Sequence, residues 1–222
     1  MTNWNLLPLG NNSPIFHIEF FPCIAYLTKI EQEKQIAIEL YESFVKQSLR
    51  NRCVVLSSNG LQNIIVPIVK NKEKRITTKE AEISYKENWQ LKAWRTIFSA
   101  YGKSPYFEYY ADEIQDILIK KQYKYLYELD LSIMMFIKKS FELSFQIGFT
   151  EDFNIDNDRR NYTSMFSIQS REEDGKGFEE YFQCFSYKFP FQKNLSCLDL
   201  LFCKGKEGGN YIRNGKPLNL LH

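Results

Sequence analysis

The sequence predicts an α/β protein of one domain, in which a mixed β-sheet with one β-hairpin packs against three central helices. Short β-rich runs fill the first third of the chain, and three stretches of helical periodicity follow them. A length of 222 residues falls within the range of one such domain, and an apolar content of 44% is enough for an ordinary core. We therefore treat residues 1–222 as one domain.

The N-terminal segment supplies the first predicted strands. Alternating apolar residues predict a strand from Ile15 to Phe21, and Pro22 ends that strand and favours a helix directly after it. A second short strand is predicted over 36–40, followed by a loop or helical turn over 41–49.

A β-hairpin is predicted next. The β-rich runs 53–56 and 64–69 flank the sequence Ser-Asn-Gly at 58–60, which is a strong turn signal. The charged segment 70–80 has no apolar periodicity, so an exposed loop is expected there. A short strand near 81–84 completes the predicted sheet.

The first central helix is predicted from Trp94, Ile97, Phe98 and Tyr101, whose spacing forms one apolar stripe that ends at Gly102. In the second helix, Ser104 is the predicted cap and Pro105 the first residue. Its apolar stripe consists of Phe107, Tyr110, Ile114, Ile117 and Leu118. The third helix is predicted over 123–145.

The segment from about 150 to 177 is polar with scattered apolar residues, and it predicts a loop or a lid. After it, Asn194 and Ser196 precede a short helix predicted over 197–204. Ser196 and Asp199 have the spacing of a capping box, in which each side chain binds a backbone N–H. Because the N-terminus of a helix also binds phosphate, Asn194 and Ser196 are candidate anion-binding residues as well.

Composition excludes several functions. Twenty-nine basic and 27 acidic residues give a net charge of +2, too small an excess for a dedicated nucleic-acid-binding protein. Five cysteines without a CxxC pair predict no zinc site, and their odd number argues against a disulfide framework. No metal or other cofactor is predicted. The lack of a signal segment or a long apolar run predicts a cytoplasmic protein that is not inserted in a membrane.

The strongest candidate for an anion site is the sequence KQSLRNRCVV, residues 46–55. Arg50 and Arg52 would project to the same side if the extended conformation begins by residue 50, so that both could bind one phosphate or carboxylate group. Gln47 and Asn51 add hydrogen-bonding groups at the same place. The alternative is that one or both arginines pair with acidic residues of the loops that follow.

Two further candidates are less specific. Lys92, Arg95 and Ser99 form a second basic helix face, which could line an anion pocket or be an ordinary exposed surface. His17 is a candidate catalytic residue because the pKa of histidine is close to neutral pH and because the end of a strand often borders a site in α/β folds. A structural role for His17 is the alternative.

Four segments together resemble the bacterial WbqC-like protein family in order and spacing. They are FFPCIAYLTKI, KQSLRNRCVV with NGLQNIIVPIVK, NWQLKAWRTIFSAYGKSPYFEYYADEI, and YFQCFSYKFPFQKNLSCLDLLFCKG. The resemblance implies a bacterial cytoplasmic protein, some of whose relatives are associated with the biosynthesis of O-antigen or other surface polysaccharides. It supplies no catalytic mechanism.

Two hypotheses of function follow. In the first, the protein is a transferase that acts on an anionic small molecule such as a nucleotide-linked sugar, which Arg50 and Arg52 hold while the segment near 150–177 closes over it. In the second, it is a non-catalytic module that binds another protein of a polysaccharide-assembly system through its aromatic surface. The sequence leaves the oligomeric state open.

Overall fold

The computed structural model describes residues 13–70, 75–152, 160–169, 173 and 176–216. The chain begins with strand β1 (Ile15–Phe16), helix α1 (Ile24–Glu33) and strand β2 (Gln35–Ile38). The first strand was predicted to continue to Phe21, but only Ile15 and Phe16 pair with β2. The backbone then leaves the sheet, where the amide of Phe20 donates to the carbonyl of Leu49 at 3.0 Å and Phe21 adopts a left-handed φ of 44°.

The predicted hairpin is present as strands β3 (Arg52–Ser57) and β4 (Gly60–Ile65), which pair antiparallel with Ser57 opposite Gly60. Gly60 has a φ of 93°, a conformation that favours glycine. Beyond the hairpin, the segment predicted as a strand near 81–84 makes only isolated bridges, from Ile83 to Ile68 and from Glu82 to Tyr125.

The three central helices are α2 (Trp89–Tyr101), α3 (Phe107–Gln115) and α4 (Leu126–Ser140). Helix α2 ends at Gly102 as predicted, but its buried stripe differs from the predicted one. Its buried residues are Trp89, Ala93, Ile97, Ala100 and Tyr101, whereas Phe98 is 58% exposed and packs edge-on against Phe107.

Helix α3 begins two residues later than Pro105 predicts, and the carbonyl of Ser104, not its side chain, accepts from the amide of Phe107 at 3.3 Å. A π-helical turn over Asp116–Lys120 follows α3. Together, α3 and this turn bury Phe107, Ala111, Ile114, Ile117 and Leu118. Four of these belong to the predicted stripe, and the fifth predicted member, Tyr110, is half-buried.

The third predicted helix, 123–145, is shorter than expected, since α4 ends at Ser140, and residues 146–149 then form strand β5 (Gln146–Phe149), which was not predicted. After α4, Glu142 adopts a left-handed φ of 53°. The amides of Ser144 and Phe145 then donate to Oε2 of Glu31 on α1, at 2.9 and 3.0 Å, and this carboxylate directs the chain into the sheet.

The sheet contains β1, β2 and β5 in that order, all parallel, with Ala37 opposite both Ile15 and Gly148. At its outer edge, Asn161 bridges to Ile15, and the ring of Tyr162 lies 4.9 Å from that of Phe16. Residues 160–169 of the predicted loop or lid therefore pack on the body of the protein. Most of the remainder lies outside the described residues, and the lid stays a prediction.

The chain continues with helix α5 (Cys197–Lys204), as predicted, and helix α6 (Gly208–Asn214), which packs against α1. The structure is thus a mixed α/β fold with a parallel three-stranded sheet and a separate antiparallel hairpin. One core cluster joins the sheet, the three central helices and α5. A smaller cluster lies on the other face of β3, where Val54 and Leu56 pack against Leu195.

Candidate functional site

The N-termini of α1 and α5 meet side by side. Cys23 and Ser196 form an antiparallel bridge, the amide of Ile24 donates to the carbonyl of Leu195 at 3.1 Å, and the amide of Cys197 donates to the carbonyl of Pro22 at 2.8 Å. We call residues 22–25 and 194–197 the helix junction. Since the N-terminus of a helix carries a partial positive charge, two such ends in contact favour a negatively charged or hydrogen-bond-accepting group.

A small cavity of about 10 Å³ lies at the helix junction, a volume on the scale of a single water molecule. It is lined by Phe21, Cys23, Leu49, Cys53, Val54, Ser167, Asn194 and Ser196. All of these residues are buried except Ser167, which is half-buried. The cavity can accept one terminal atom of a ligand, such as a phosphate oxygen, but not a sugar ring.

Asn194 supplies the most distinctive polar group at this cavity. Its side chain is 2% exposed, and its Oδ1 accepts from the amide of Ala25 at 2.8 Å, which fixes the amide group against the start of α1. Its Nδ2 is buried and has no hydrogen-bond partner among the described residues. Asparagine also suits the left-handed φ of 49° at this position. A buried donor without a partner raises the free energy of the empty site, so an acceptor bound there would stabilise the protein.

Ser196 caps α5 as the sequence predicts, because its Oγ accepts from the amide of Leu198 at 3.3 Å and donates to the carbonyl of Phe21 at 3.0 Å. The predicted capping box is only half formed, since the amide of Ser196 donates to the carbonyl of Val54 instead. Asp199 turns away and accepts from the hydroxyl of Tyr181 at 2.7 Å.

The two candidate arginines have different environments. Strand β3 begins at Arg52, so the extended conformation does not include Arg50. Arg50 is 4% exposed, and its Nε and Nη2 donate to Oε1 of Glu42 at 2.8 and 2.5 Å. Its Nη2 also donates to the carbonyl of Thr163 at 3.2 Å. We call residues 42–50 the arginine turn. This pairing is the alternative that the sequence left open, although the acid precedes the arginine.

Arg52 is half-buried, and in the part of the chain that the structure describes its buried Nε has no hydrogen-bond partner. Alternation along β3 places Arg52 on the same face as Val54, which lines the cavity and packs against Leu195 beside Asn194. Of the two arginines, Arg52 is therefore the one with a donor available to a ligand near the helix junction.

The remaining predicted anion-binding residues do not join this site. Asn51 is buried, and its Nδ2 donates to the carbonyl of Val66 at 2.9 Å, which ties the start of β3 to the end of the hairpin. Gln47 is exposed in a turn with a φ of 60°. On α2, Lys92, Arg95 and Ser99 are all exposed. Lys92 pairs with Glu87 at 2.7 Å, and no described contact links these three residues to Arg52 or Asn194.

His17 is completely buried, and its Nε2 lies 3.0 Å from Oε1 of Glu19. The other oxygen of Glu19, Oε2, accepts from the amide of Cys23 at 3.0 Å, and the hydroxyl of Tyr26 donates to the carbonyl of His17 at 2.6 Å. A substrate cannot reach the buried ring unless its neighbours move. Glu19 therefore connects His17 to Cys23 at the helix junction. The catalytic role of His17 stays a prediction.

Asp130 on α4 is a buried acid that the sequence interpretation missed. Both carboxyl oxygens lack a hydrogen-bond partner within the described residues, and burial, reinforced by the charge of Glu19, raises the pKa of Asp130 well above its ordinary value. The signal in the sequence was an acid between Leu129 and Leu131, inside an otherwise apolar helical stripe. Across the described ranges, no group of three or more His, Cys, Asp or Glu side chains could hold a metal ion.

The fold and the helix junction define a mixed α/β protein with a small, mostly apolar cavity between two helix ends, which Asn194 and Ser196 help to line. The chain belongs to the WbqC-like protein family, whose model matches residues 18–176. The match covers the first three of the four segments that resemble the family, and Asn194 and Ser196 lie beyond it. No curated protein and no solved structure matches the chain significantly. Among the helices described, none has the length and apolar character needed to cross a bilayer.

Proposed function

We propose that this protein is a cytoplasmic enzyme of bacterial surface-polysaccharide biosynthesis, a transferase acting on an anionic, nucleotide-linked sugar. Membership of the WbqC-like family supports the pathway, because the family resemblance implies a relation to O-antigen-type biosynthesis. The observation that carries the ligand class is a pair of buried donors that have no partner among the described residues. They are Nδ2 of Asn194, a residue that lines the cavity, and Nε of Arg52, which strand alternation places on the same face as Val54 of that cavity.

The chemistry of these groups suits a phosphate. A guanidinium group binds phosphate oxygens through several N–H donors, and the amide group of Asn194 adds a neutral donor. The positive ends of α1 and α5 contribute further stabilisation of a negative charge. In this proposal one phosphate oxygen enters the cavity, Ser196 holds the helix junction in place, and the nucleoside and sugar lie outside.

The residues on the exposed surface have a different place in the proposal. Lys92, Arg95, Ser99 and Gln47 are solvated, so any contact that they make with a ligand would be weakened by water and salt. Arg50 positions residue 163 and the arginine turn through its pair with Glu42. Arg52 is therefore the residue whose removal tests the ligand class.

Calorimetry with UDP-N-acetylglucosamine, GDP-mannose and dTDP-glucose tests the proposal. We expect at least one of these nucleotide sugars to bind, and Arg52→Ala to weaken that binding by about 1.5 to 3 kcal/mol, because a charge-assisted hydrogen bond is lost. At a hundred times its dissociation constant, the ligand should stabilise the wild-type protein by about 2.7 kcal/mol.

Lys121→Ala is the matched control, since Lys121 is an exposed cation after α3 and should leave binding unchanged. Equal binding by the wild-type protein and Arg52→Ala would remove Arg52 from the site. If none of the three nucleotide sugars changes the melting temperature of the wild-type protein, the ligand class itself is wrong.

The second hypothesis, a non-catalytic interaction module, is favoured by one observation. Phe182 is 60% exposed and Tyr187 is 79% exposed in the segment that precedes α5. Exposed aromatic side chains are frequent at the centres of protein interfaces. Absence of any nucleotide-sugar effect, together with a stoichiometric protein complex that is lost in the Phe182→Ser, Tyr187→Ser variant, would support this function in place of the first.

A further inference from the structure

Cys184 and Cys203 are in direct contact, with their Sγ atoms 3.8 Å apart. Cys203 lies near the end of α5, and Cys184 lies in the segment that runs along this helix before the helix junction. The two cysteines are 19 positions apart in the sequence, so only the fold brings them together. No disulfide is present, and all five cysteines of the chain are among the described residues.

Polar contacts of the neighbouring residue Gln183 hold this arrangement. Gln183 donates through Nε2 to Oδ2 of Asp199 at 3.0 Å and to the carbonyl of Gln192 at 2.9 Å, while the amide of Gln192 donates back to Oε1 of Gln183 at 2.9 Å. Asp199 and Cys203 are four residues apart on α5 and so lie on the same face. The backbone of residue 184 is therefore fixed opposite Cys203 before any covalent bond forms.

The two thiols differ in access and in acidity. Cys184 is half-buried, whereas Cys203 is 7% exposed, so a dissolved oxidant reaches Cys184 first. The hydrogen bond from Cys203 holds the pKa of the Cys184 thiol below its ordinary value, while the same pairing and burial raise the pKa of Cys203. A thiolate is the nucleophile in thiol oxidation, and Cys184 is the better candidate for that role.

We propose that Cys184 and Cys203 are a modification site that forms a reversible disulfide in response to a hydroperoxide. The Cys184 thiolate attacks the terminal oxygen of the hydroperoxide and the O–O bond breaks, which leaves a sulfenic acid at Cys184. The departing hydroxide, or the alkoxide of an organic hydroperoxide, takes up a proton equivalent to the one that the thiol lost on ionisation and leaves as water or an alcohol. The Cys203 sulfur then attacks the sulfenic sulfur, loses its proton and expels a second molecule of water. Two electrons pass from the thiols to the hydroperoxide, and a reducing dithiol reverses the reaction by thiol–disulfide exchange.

The disulfide would attach the segment before the helix junction to α5 covalently. That segment is now held to the helix by the polar contacts of Tyr181 and Gln183 with Asp199. Because the bond restricts the unfolded chain, we expect the melting temperature of the oxidised protein to rise by roughly 5 to 10 °C. This inference does not depend on the proposed transferase function.

Peptide mapping by mass spectrometry after treatment of the purified protein with hydrogen peroxide tests the proposal. In the wild-type protein we expect a cross-link between the peptides that carry Cys184 and Cys203, its removal by dithiothreitol, and the loss of two titratable thiols of the five. Cys23, Cys53 and Cys197 are buried and should stay reduced, which provides an internal control.

Two variants separate the steps. Cys203→Ser should accumulate a sulfenic acid at Cys184 that dimedone traps, because the second thiol is absent. Cys184→Ser should keep all its thiols and show no rise in melting temperature with peroxide. Five titratable thiols in the treated wild-type protein, a cross-link between other cysteines, or oxidation of Cys184 to a sulfonic acid without a cross-link would each overturn the proposal.

Discussion

The arginine turn and the helix junction are both crowded with hydrogen-bonding groups, but only one of them is satisfied internally. In the arginine turn, Arg50 gives three hydrogen bonds to Glu42 and residue 163. At the helix junction, Asn194 keeps a buried donor without a partner in the described structure, and Arg52 adds another nearby. The density of polar residues in a sequence therefore does not distinguish a structural cluster from a binding site. The distinction depends on which donors the fold leaves unpaired.

We expect the largest loss of stability from a substitution that removes the hydrogen bonds of the arginine turn. Arg50→Ala leaves the buried carboxylate of Glu42 without its partner, and we expect the free energy of unfolding to fall by about 3 to 5 kcal/mol. Urea denaturation followed by circular dichroism measures this change.

Two controls make the result specific. The double variant Arg50→Met, Glu42→Leu removes both charges together and should recover most of the loss, because no unpaired charge remains buried. Lys92→Ala removes an exposed ion pair with Glu87 and should have little effect. A loss no larger for Arg50→Ala than for Lys92→Ala would show that the arginine turn is not the structural region described above.

The comparison also explains how much of the fold could be predicted. The hairpin and the end of α2 at Gly102 follow from local signals and were predicted correctly. Strand β5 was not predicted, and the third helix was extended to residue 145 because Phe145 fits the apolar spacing of α4, whereas the real boundary depends on Glu31, which is more than a hundred positions away. The stripe of α2 was predicted only in part. Ile97 and Tyr101 are buried, but Phe98, which fits the apolar spacing as well as Ala93 does, is exposed.

The candidate site was predicted only in part, for the same physical reason. Sequence identified Arg50, Arg52, Asn194 and Ser196 as possible anion ligands, but the partners that distinguish them come from distant segments. Glu42 pairs with Arg50 through a turn, and Asn194 caps α1 from 169 positions away. Neither contact has a local signature. For Asn194, family membership did not supply one either, since the matched region ends at residue 176.

Asp199, the buried acid of α5, gives a prediction of how the stability of the protein depends on pH. Tyr181 and Gln183 satisfy Oδ2, but burial is the dominant influence and raises the pKa of Asp199 to about 6. Between the ordinary value of 3.8 and about 6, the unfolded chain loses this proton while the folded protein keeps it. The folded state is therefore destabilised as the pH rises through this window, by about 3 kcal/mol in total.

The measurement compares the wild-type protein with Asp199→Asn from pH 4 to pH 7. Asparagine does not titrate, so the free energy of unfolding of the wild-type protein should fall relative to that of the variant as the pH rises, and the difference should level off above about pH 6. Any constant offset reports the altered hydrogen bonds with Tyr181 and Gln183. A difference that is independent of pH would show that Asp199 ionises normally in the folded protein.

The smallest effect distinguishes two serines that the sequence placed in the same class of anion-binding residue. Ser196→Ala removes the cap of α5 and the hydrogen bond to Phe21, and we expect the free energy of unfolding to fall by about 1 to 2 kcal/mol. Ser99→Ala, on the exposed face of α2, should leave stability unchanged or slightly raised, because alanine is the better helix former. Chemical denaturation of both variants provides the test. If both lose the same stability, the buried contacts of Ser196 contribute nothing beyond those of a surface serine, and the helix junction lacks the rigidity that a binding site at this position requires.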